Sequence, residues 1–140
     1  MHDELVRHRV SVQVELTQSL PWVNGDHVQL QQVLLNLTTN AIESMATTDG
    51  ARALGVTSEI YTSGGVLVSV KDTGTGVAPE DIDRMFVPLF TTKRHGMGMG
   101  LSISRSIIEA HDGRLWSAPN ALSGSVFHFV LPAHSAPNGA

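Results

Sequence analysis

The stretch Val66-Leu-Val-Ser-Val-Lys-Asp72-Thr-Gly-Thr-Gly76 is typical of a strand that runs directly into a glycine turn. Side chains alternate along a strand, so Val66, Val68 and Val70 share one face with Asp72. A carboxylate at the end of an apolar row needs a hydrogen-bond partner. Two partners fit this pattern. One is the exocyclic amine of a purine, and the other is the backbone of the turn that Asp72 itself opens.

A second glycine stretch, His95-Gly-Met-Gly-Met-Gly-Leu101, leads directly into a predicted helix. Alternate glycines let the backbone approach a ligand closely, and the free N–H groups at the start of a helix favour an anion. The alternative is a flexible surface loop. A dinucleotide-binding turn is less favoured, because a Pro/Thr loop and not a strand precedes these glycines. The three residues concerned are Gly96, Gly98 and Gly100.

Two adjacent cations, Lys93 and Arg94, stand just before the second glycine stretch. Phosphate groups need such charge, although solvated surface charge is the alternative interpretation. In the preceding segment, Phe86-Val-Pro-Leu-Phe90, the two aromatic residues are expected to anchor the ends of this loop in the core.

The clearest helix is predicted over residues 27–46, with Asp26 placed to cap it. Asn36 and Asn40 stand four residues apart on this helix and therefore share a face beside its apolar stripe. A neutral carbonyl oxygen is a good ligand for a hard cation, so the pair suits a metal–phosphate group, and two exposed polar residues are the alternative. The apolar stripe recurs at three- and four-residue steps: Leu30, Val33, Leu34, Leu37, Ala41 and Met45.

The remaining segments predict further strands, one more long helix and one short helix. A half-buried strand over 8–16 is expected from its alternation. Glycines at 64 and 65 favour a hairpin between 53–61 and 66–71. We predict an α+β fold, a two-layer α/β sandwich in which three helices cover one face of a mixed sheet. The other predicted elements are a short helix after Pro79, a helix over 100–110 and strands over 113–117 and 125–131.

Length and composition exclude several classes of function. The 140 residues fit one domain, and the net charge of −4 argues against nucleic acid or an anionic membrane surface as a partner. The lack of cysteine removes disulfides, thiol nucleophiles and cysteine metal sites. No apolar run approaches the roughly 20 residues that a membrane helix needs, and the charged start of the chain does not resemble a secretion signal.

Four segments together resemble the catalytic ATP-binding domain of bacterial two-component sensor histidine kinases, within the gyrase, Hsp90, kinase and MutL (GHKL) ATPase superfamily. They occur in that family's order and cover about residues 5–132. The lid and helix sequences are most similar to the nitrogen-regulation and oxygen-sensor group. The asparagine, first glycine, phenylalanine and second glycine boxes are, respectively, Gln32-Val-Leu-Leu-Asn-Leu-Thr-Thr-Asn-Ala41, Asp72-Thr-Gly-Thr-Gly76, Phe86-Val-Pro-Leu-Phe90 and Gly96-Met-Gly-Met-Gly-Leu101.

The resemblance implies a Bergerat-type fold that binds Mg-ATP between its helices, under a mobile lid. Asp72 would then accept the adenine amino group, and Asn40 would supply an oxygen to Mg²⁺ while Asn36 sits beside the phosphates. Gly74 and Gly76 would let the chain pass close to the base. The implied phosphate-binding residues are Lys93, Arg94, Gly96, Gly98, Gly100 and Leu101.

The reaction implied is transfer of the γ-phosphate to a protein histidine, with Asn36, Asn40 and Lys93 as catalytic residues. Hydrolytic members of the superfamily carry a glutamate at the position of Asn36, and an amide cannot take a proton from water at neutral pH. The alternatives are a hydrolytic ATPase, an anti-sigma-type serine kinase and a non-catalytic scaffold that has kept the fold.

The resemblance implies that the phosphoacceptor histidine lies on a separate dimerisation hairpin upstream. The stretch His2-Asp-Glu-Leu5 is similar to its motif but lies too close to the first strand to serve as one. We therefore expect residues 1–7 to be a linker remnant, 8–132 the catalytic domain and 133–140 a loose tail. The expected partners are the upstream hairpin and a response regulator receiver domain. The fragment itself is expected to be monomeric and cytoplasmic, whether or not its parent is membrane-anchored.

Overall fold

The computed structural model describes residues 9–17, 20, 23–46, 48, 50–61, 64–76, 86, 100–120 and 123–133. The short helix predicted after Pro79 lies outside them. Neither described helix combines the length and apolar character needed to cross a membrane. In chain order the described elements are β1 (Ser11–Leu16), α1 (His27–Met45), β2 (Ala53–Ile60), β3 (Val66–Lys71), α2 (Gly100–Ala110), β4 (Arg114–Pro119) and β5 (Ser125–Leu131).

The strands form one mixed sheet in the order β1-β2-β3-β5-β4. The β1–β2 pair is parallel, and all other pairs, including the predicted β2–β3 hairpin, are antiparallel. Helices α1 and α2 contribute to the core with the inward residues of this sheet. The described residues therefore confirm a mixed sheet with a helical layer on one face.

The core lies between α1 and the centre of the sheet. Val33, Leu37, Ala41 and Met45 of α1 are fully buried, as the predicted stripe requires. They pack in one cluster with inward residues of the central strands, such as Val70, and burying each large apolar side chain contributes about 1.5–3 kcal/mol. This packing holds the end of α1 beside the turn that follows β3, where Ser44 lies against Gly74.

Strand β1 lies at the edge of the sheet and confirms the predicted strand, but all six of its residues are exposed, so the prediction that it is half-buried is wrong. Val12 pairs with the core residue Leu54 of β2, so the apolar residues of β1 share the core-facing side of the sheet, yet Val12, Val14 and Leu16 remain 46%, 55% and 63% exposed. Alternation predicted the strand, but an edge position leaves less to cover it.

Asp26 caps α1 as predicted, because its side chain accepts a hydrogen bond of 3.0 Å from Gln29 N. The imidazole of His111, just after α2, joins the two helices here. Nδ1 lies 2.7 Å from the Ile107 carbonyl, which can only accept, so Nδ1 carries the proton. Nε2 accepts from Asp26 N at 2.9 Å. The end of α2 is therefore fastened to the start of α1.

A row of polar and aromatic side chains lies across the opposite face of the sheet. His128 on β5 lies between Ser69 and Trp116 on the two neighbouring strands. Its Nδ1 is 2.7 Å from Ser69 Oγ, and its ring stacks on Trp116 at a centroid distance of 5.2 Å. Burial, followed by the positive charge of Lys71, lowers the pKa of His128 below its ordinary value of 6.5, although Glu59 opposes this.

This shift predicts that His128 destabilises the fold in mild acid. Below about pH 6.5 the unfolded chain takes up a proton at this histidine before the folded chain does. The free energy of unfolding should therefore fall as the pH drops from 6.5 towards the lower folded pKa, with no His128 contribution above that window. Urea denaturation from pH 5 to pH 8 measures this, with His128→Gln expected to reduce the pH dependence. His27→Gln, at an exposed histidine, is the control, and an unchanged profile for His128→Gln would contradict the assignment.

Candidate functional site

Asp72 is 1% exposed and lies where β3 ends. Its Oδ1 accepts hydrogen bonds from Gly74 N at 2.9 Å and from Ser125 N at 3.2 Å. The backbone N–H of Asp72 also donates to the Ser125 carbonyl at 2.9 Å. One carboxylate oxygen thus braces the turn, as the second of the two sequence alternatives requires. The purine contact stays a prediction.

The turn between β4 and β5 supports Asp72 from the other side, and the sequence analysis missed this. Asn120 Nδ2 donates to the Asp72 carbonyl at 2.8 Å, and Ser123 Oγ donates to the Thr73 carbonyl at 3.2 Å. Gly124 has φ +91°, and a Cβ there would lie 2.7 Å from Asp72 Oδ1. A glycine before the predicted last strand was the only signal, and it did not indicate a partner so far away in sequence.

The first glycine turn packs directly on α1. A Cβ on Gly74 would meet Ser44 near the end of that helix, 2.6 Å from its carbonyl oxygen. Gly76 has φ +75°, a backbone conformation that residues other than glycine rarely adopt. Both predicted glycines are therefore required by the structure, Gly74 by contact and Gly76 by backbone conformation. Their approach to a base stays a prediction.

Asn36 joins α1 to the first turn of α2. Its Nδ2 donates to the Gly100 carbonyl at 3.3 Å and to Ser104 Oγ at 3.1 Å, and its Oδ1 accepts from Gln32 Nε2 at 2.7 Å. Because the Gly100 carbonyl can only accept, the orientation of the Asn36 amide is fixed. Ser104 is fully buried and was not identified from the sequence. The structure gives Asn36 an anchoring contact where the resemblance implied a phosphate neighbour.

Three polar residues at four-residue steps connect these features along one face of α1. Asn36 contacts the start of α2, Ser44 contacts the first glycine turn, and Asn40 stands half-buried between them. At 1.5 Å per residue, the face spans about 12 Å. The helix therefore aligns the Asp72 turn, the candidate metal ligand and the α2 N-terminus in that order.

Phe86 anchors its end of the phenylalanine box in the core, as predicted. The Arg105 guanidinium lies over its ring, 5.0 Å from the centroid. Leu101 in the first turn of α2 packs against the same core, which holds the helix start in place. The other predicted residues lie outside the described part of the chain: Phe90, Lys93, Arg94, Gly96 and Gly98.

Asn40 suits the hard cation that the sequence implied. Its amide carries a neutral oxygen, and it lies one helical turn from Asn36, which contacts the first residue of α2, where an anion is favoured. Mg²⁺ commonly uses only one or two protein ligands and takes the rest from phosphates and water. The residues present therefore fit Mg²⁺ bound together with a nucleotide.

Comparison with known proteins identifies the family. The model for the histidine kinase-, DNA gyrase B- and HSP90-like ATPase family matches residues 25–135. The chain is 48% identical over 124 residues to the sensor protein FixL of Bradyrhizobium diazoefficiens, covering 89% of this chain and 24% of FixL. It thus spans about a quarter of that relative's length.

Two solved structures extend the comparison to three dimensions. The nucleotide-free catalytic domain of histidine kinase ThkA matches with a TM-score of 0.81 and 35% identity, over 94% of this chain and 84% of that one. Full-length ShkA in complex with AMPPNP matches with a TM-score of 0.82 and 28% identity, over 99% of this chain and 28% of ShkA. The chain therefore belongs to the histidine kinase-, DNA gyrase B- and HSP90-like ATPase family and corresponds to the catalytic domain of its sensor histidine kinases.

Proposed function

We propose that this domain binds Mg-ATP and donates the γ-phosphate to a histidine on a separate dimerisation domain of its parent sensor histidine kinase. The alignment along α1 carries the proposal, because Asn40 lies between the Asp72 turn and the start of α2. The site so formed has one end suited to a base and another suited to phosphates. The similar protein ShkA is known in complex with the ATP analogue AMPPNP, which supports the same ligand class.

The Asp72 turn would bind adenine. Asp72 accepts the exocyclic amine, while Gly74 and Gly76 keep the backbone free of side chains where the base lies. The burial of Asp72 supports this role, since a hydrogen bond to a charged acceptor is stronger away from water. The bracing bonds to Oδ1 fix the direction of the carboxylate before a nucleotide arrives.

The start of α2 would bind the phosphates. Backbone N–H groups from Gly96, Gly98 and Gly100 meet phosphate oxygens, next to Leu101, and Lys93 and Arg94 add charge from the lid. Asn40 would hold Mg²⁺, which neutralises charge on the phosphates when bound. These residues position the γ-phosphate for a neutral imidazole of the parent protein, and ADP leaves as the bond to the β-phosphate breaks.

The chemistry of Asn36 favours a kinase over a hydrolytic ATPase. An amide cannot act as the general base that water attack needs, and both N–H groups of Asn36 are already engaged with α2. The residue at this position therefore supports the structure of the site and does not activate water. Protein-histidine phosphotransfer needs no such base, because neutral imidazole is itself a nucleophile.

The proposed partners are the upstream hairpin of the same protein and a response regulator receiver domain. ThkA, which this chain resembles, has been solved in complex with the response regulator protein TrrA. We also propose a cytoplasmic domain, monomeric on its own, without nucleic acid or direct membrane contact, consistent with its net charge of −4. The domain boundaries at residues 8 and 132 stay predictions.

Calorimetric titration with ATP, with and without Mg²⁺, tests the function while phosphate release is followed in the same samples. We expect magnesium-dependent binding with negligible release. Addition of the parent's upstream hairpin should then give a phosphoprotein that is labile in acid, as phosphohistidine is. Steady release without an acceptor would indicate the ATPase, an acid-stable product would indicate the serine kinase, and absence of binding would refute the proposal.

A further inference from the structure

We propose that Ser104 is a positioning residue for the phosphate end of the site, acting through Asn36. The proposal rests on the proposed function and assigns a role to a residue outside the four sequence boxes. Ser104 lies one turn after Gly100 on α2 and is fully buried, so its hydroxyl depends on a protein partner. Asn36 Nδ2 supplies that partner at 3.1 Å.

The contact fixes the position of the first turn of α2 along α1. Asn36 Nδ2 also donates to the Gly100 carbonyl at 3.3 Å, so one amide group holds both the first peptide of α2 and a side chain one turn later. Gln32 fixes the amide from its other side. The first turn of α2 is thus fastened one helical turn from Asn40, the proposed Mg²⁺ ligand.

The same contact changes the role expected of Asn36. A side-chain amide has two N–H donors, and these two serve Gly100 and Ser104. Phosphate oxygens only accept hydrogen bonds, so this arrangement leaves Asn36 no donor for them. Asn36 and Ser104 therefore act together as a strut that sets the spacing between Asn40 and the N–H groups of α2.

This spacing matters for phosphates and not for adenine. Phosphoryl transfer depends on accurate placement of the phosphates relative to metal and donors. The Asp72 turn contacts α1 at Ser44, two turns away from Asn36, and receives its own support from β5. Loss of the Ser104 hydroxyl should therefore weaken the phosphate contacts while the adenine contacts persist.

The test compares Ser104→Ala with Ser106→Ala, the same substitution at an exposed position of α2. The affinity for adenosine is measured by NMR titration and the affinity for Mg-AMPPNP by calorimetry. Both are measured for the two variants and for the unsubstituted domain, which is called the parent chain below. We expect Ser104→Ala to weaken Mg-AMPPNP binding roughly two- to tenfold, the effect of one net hydrogen bond, with adenosine affinity unchanged. Ser106→Ala should change neither affinity, and urea denaturation verifies that all three chains are folded.

A double-mutant cycle with Asn36→Ala distinguishes a role of Ser104 through Asn36 from the general effect of removing a buried hydroxyl. If Ser104 acts through Asn36, Ser104→Ala should cost little further Mg-AMPPNP affinity once Asn36 is absent. Equal weakening of adenosine and Mg-AMPPNP, additive losses in the cycle, or unchanged Mg-AMPPNP affinity would each overturn the inference. Failure of the parent chain to bind Mg-AMPPNP would instead refute the proposed function, and the inference with it.

Discussion

Asp72→Asn is expected to weaken ATP binding roughly 10- to 150-fold, corresponding to loss of a charged hydrogen bond worth about 1.5–3 kcal/mol. The substitution preserves size and leaves one oxygen to accept from Gly74 N and Ser125 N, so the brace within the turn can persist. The other position becomes an NH₂ group, which donates where the adenine amine also donates. Binding should therefore fall because two donors face each other.

Calorimetry with Mg-ATP measures this loss, and Asp112→Asn is its matched control. Asp112 is exposed just after α2 and has φ +62°, a conformation that asparagine also tolerates. Asp112→Asn makes the same change of charge away from the site, so this variant should bind Mg-ATP with the affinity of the unsubstituted chain. Urea denaturation should show both variants folded. If Asp72→Asn binds ATP as tightly as the parent chain, Asp72 does not accept the adenine amine.

Periodicity predicted the parts of the fold that are set by local pattern. The apolar stripe of α1 appeared at three- and four-residue steps, and its core members Val33, Leu37 and Met45 are fully buried. The valine row of β3 likewise placed Asp72 on the inner face, since a side chain's face in a strand depends only on its position. Predicting which way these residues face required no knowledge of contacts between distant segments.

Contacts between distant segments could not be predicted in this way. Gly124 and Asn120 support Asp72 because β5 pairs with β3, and no periodicity indicates which strand becomes whose neighbour. Ser104 has an ordinary place on the apolar side of α2, so its bond to Asn36 becomes visible only once the two helices are packed. The sequence therefore identified candidate ligand contacts more readily than the residues that hold them.

Gly124→Ala is expected to destabilise the fold by about 2–5 kcal/mol, the sum of backbone strain at φ +91° and overpacking against the Asp72 turn. The new methyl group would collide with the Asp72 carbonyl oxygen and lie 2.7 Å from Oδ1. Both are backbone or hydrogen-bonded atoms of the turn, so the turn must move to relieve the contact. Nucleotide affinity should fall along with stability.

Gly64→Ala separates strain from collision, because Gly64 has a similar φ of +95° but nothing within 4 Å of a Cβ. It should lose only the strain contribution, about 1–2 kcal/mol, and bind ATP as the parent chain does. Urea denaturation and calorimetry on both variants therefore isolate the Asp72 contact as the difference between them. If Gly124→Ala and Gly64→Ala lose the same stability and bind ATP equally well, the β4–β5 turn does not position the Asp72 carboxylate. A larger loss at Gly124 would mean that this turn, far from the four boxes in sequence, sets the direction of the proposed adenine-binding carboxylate.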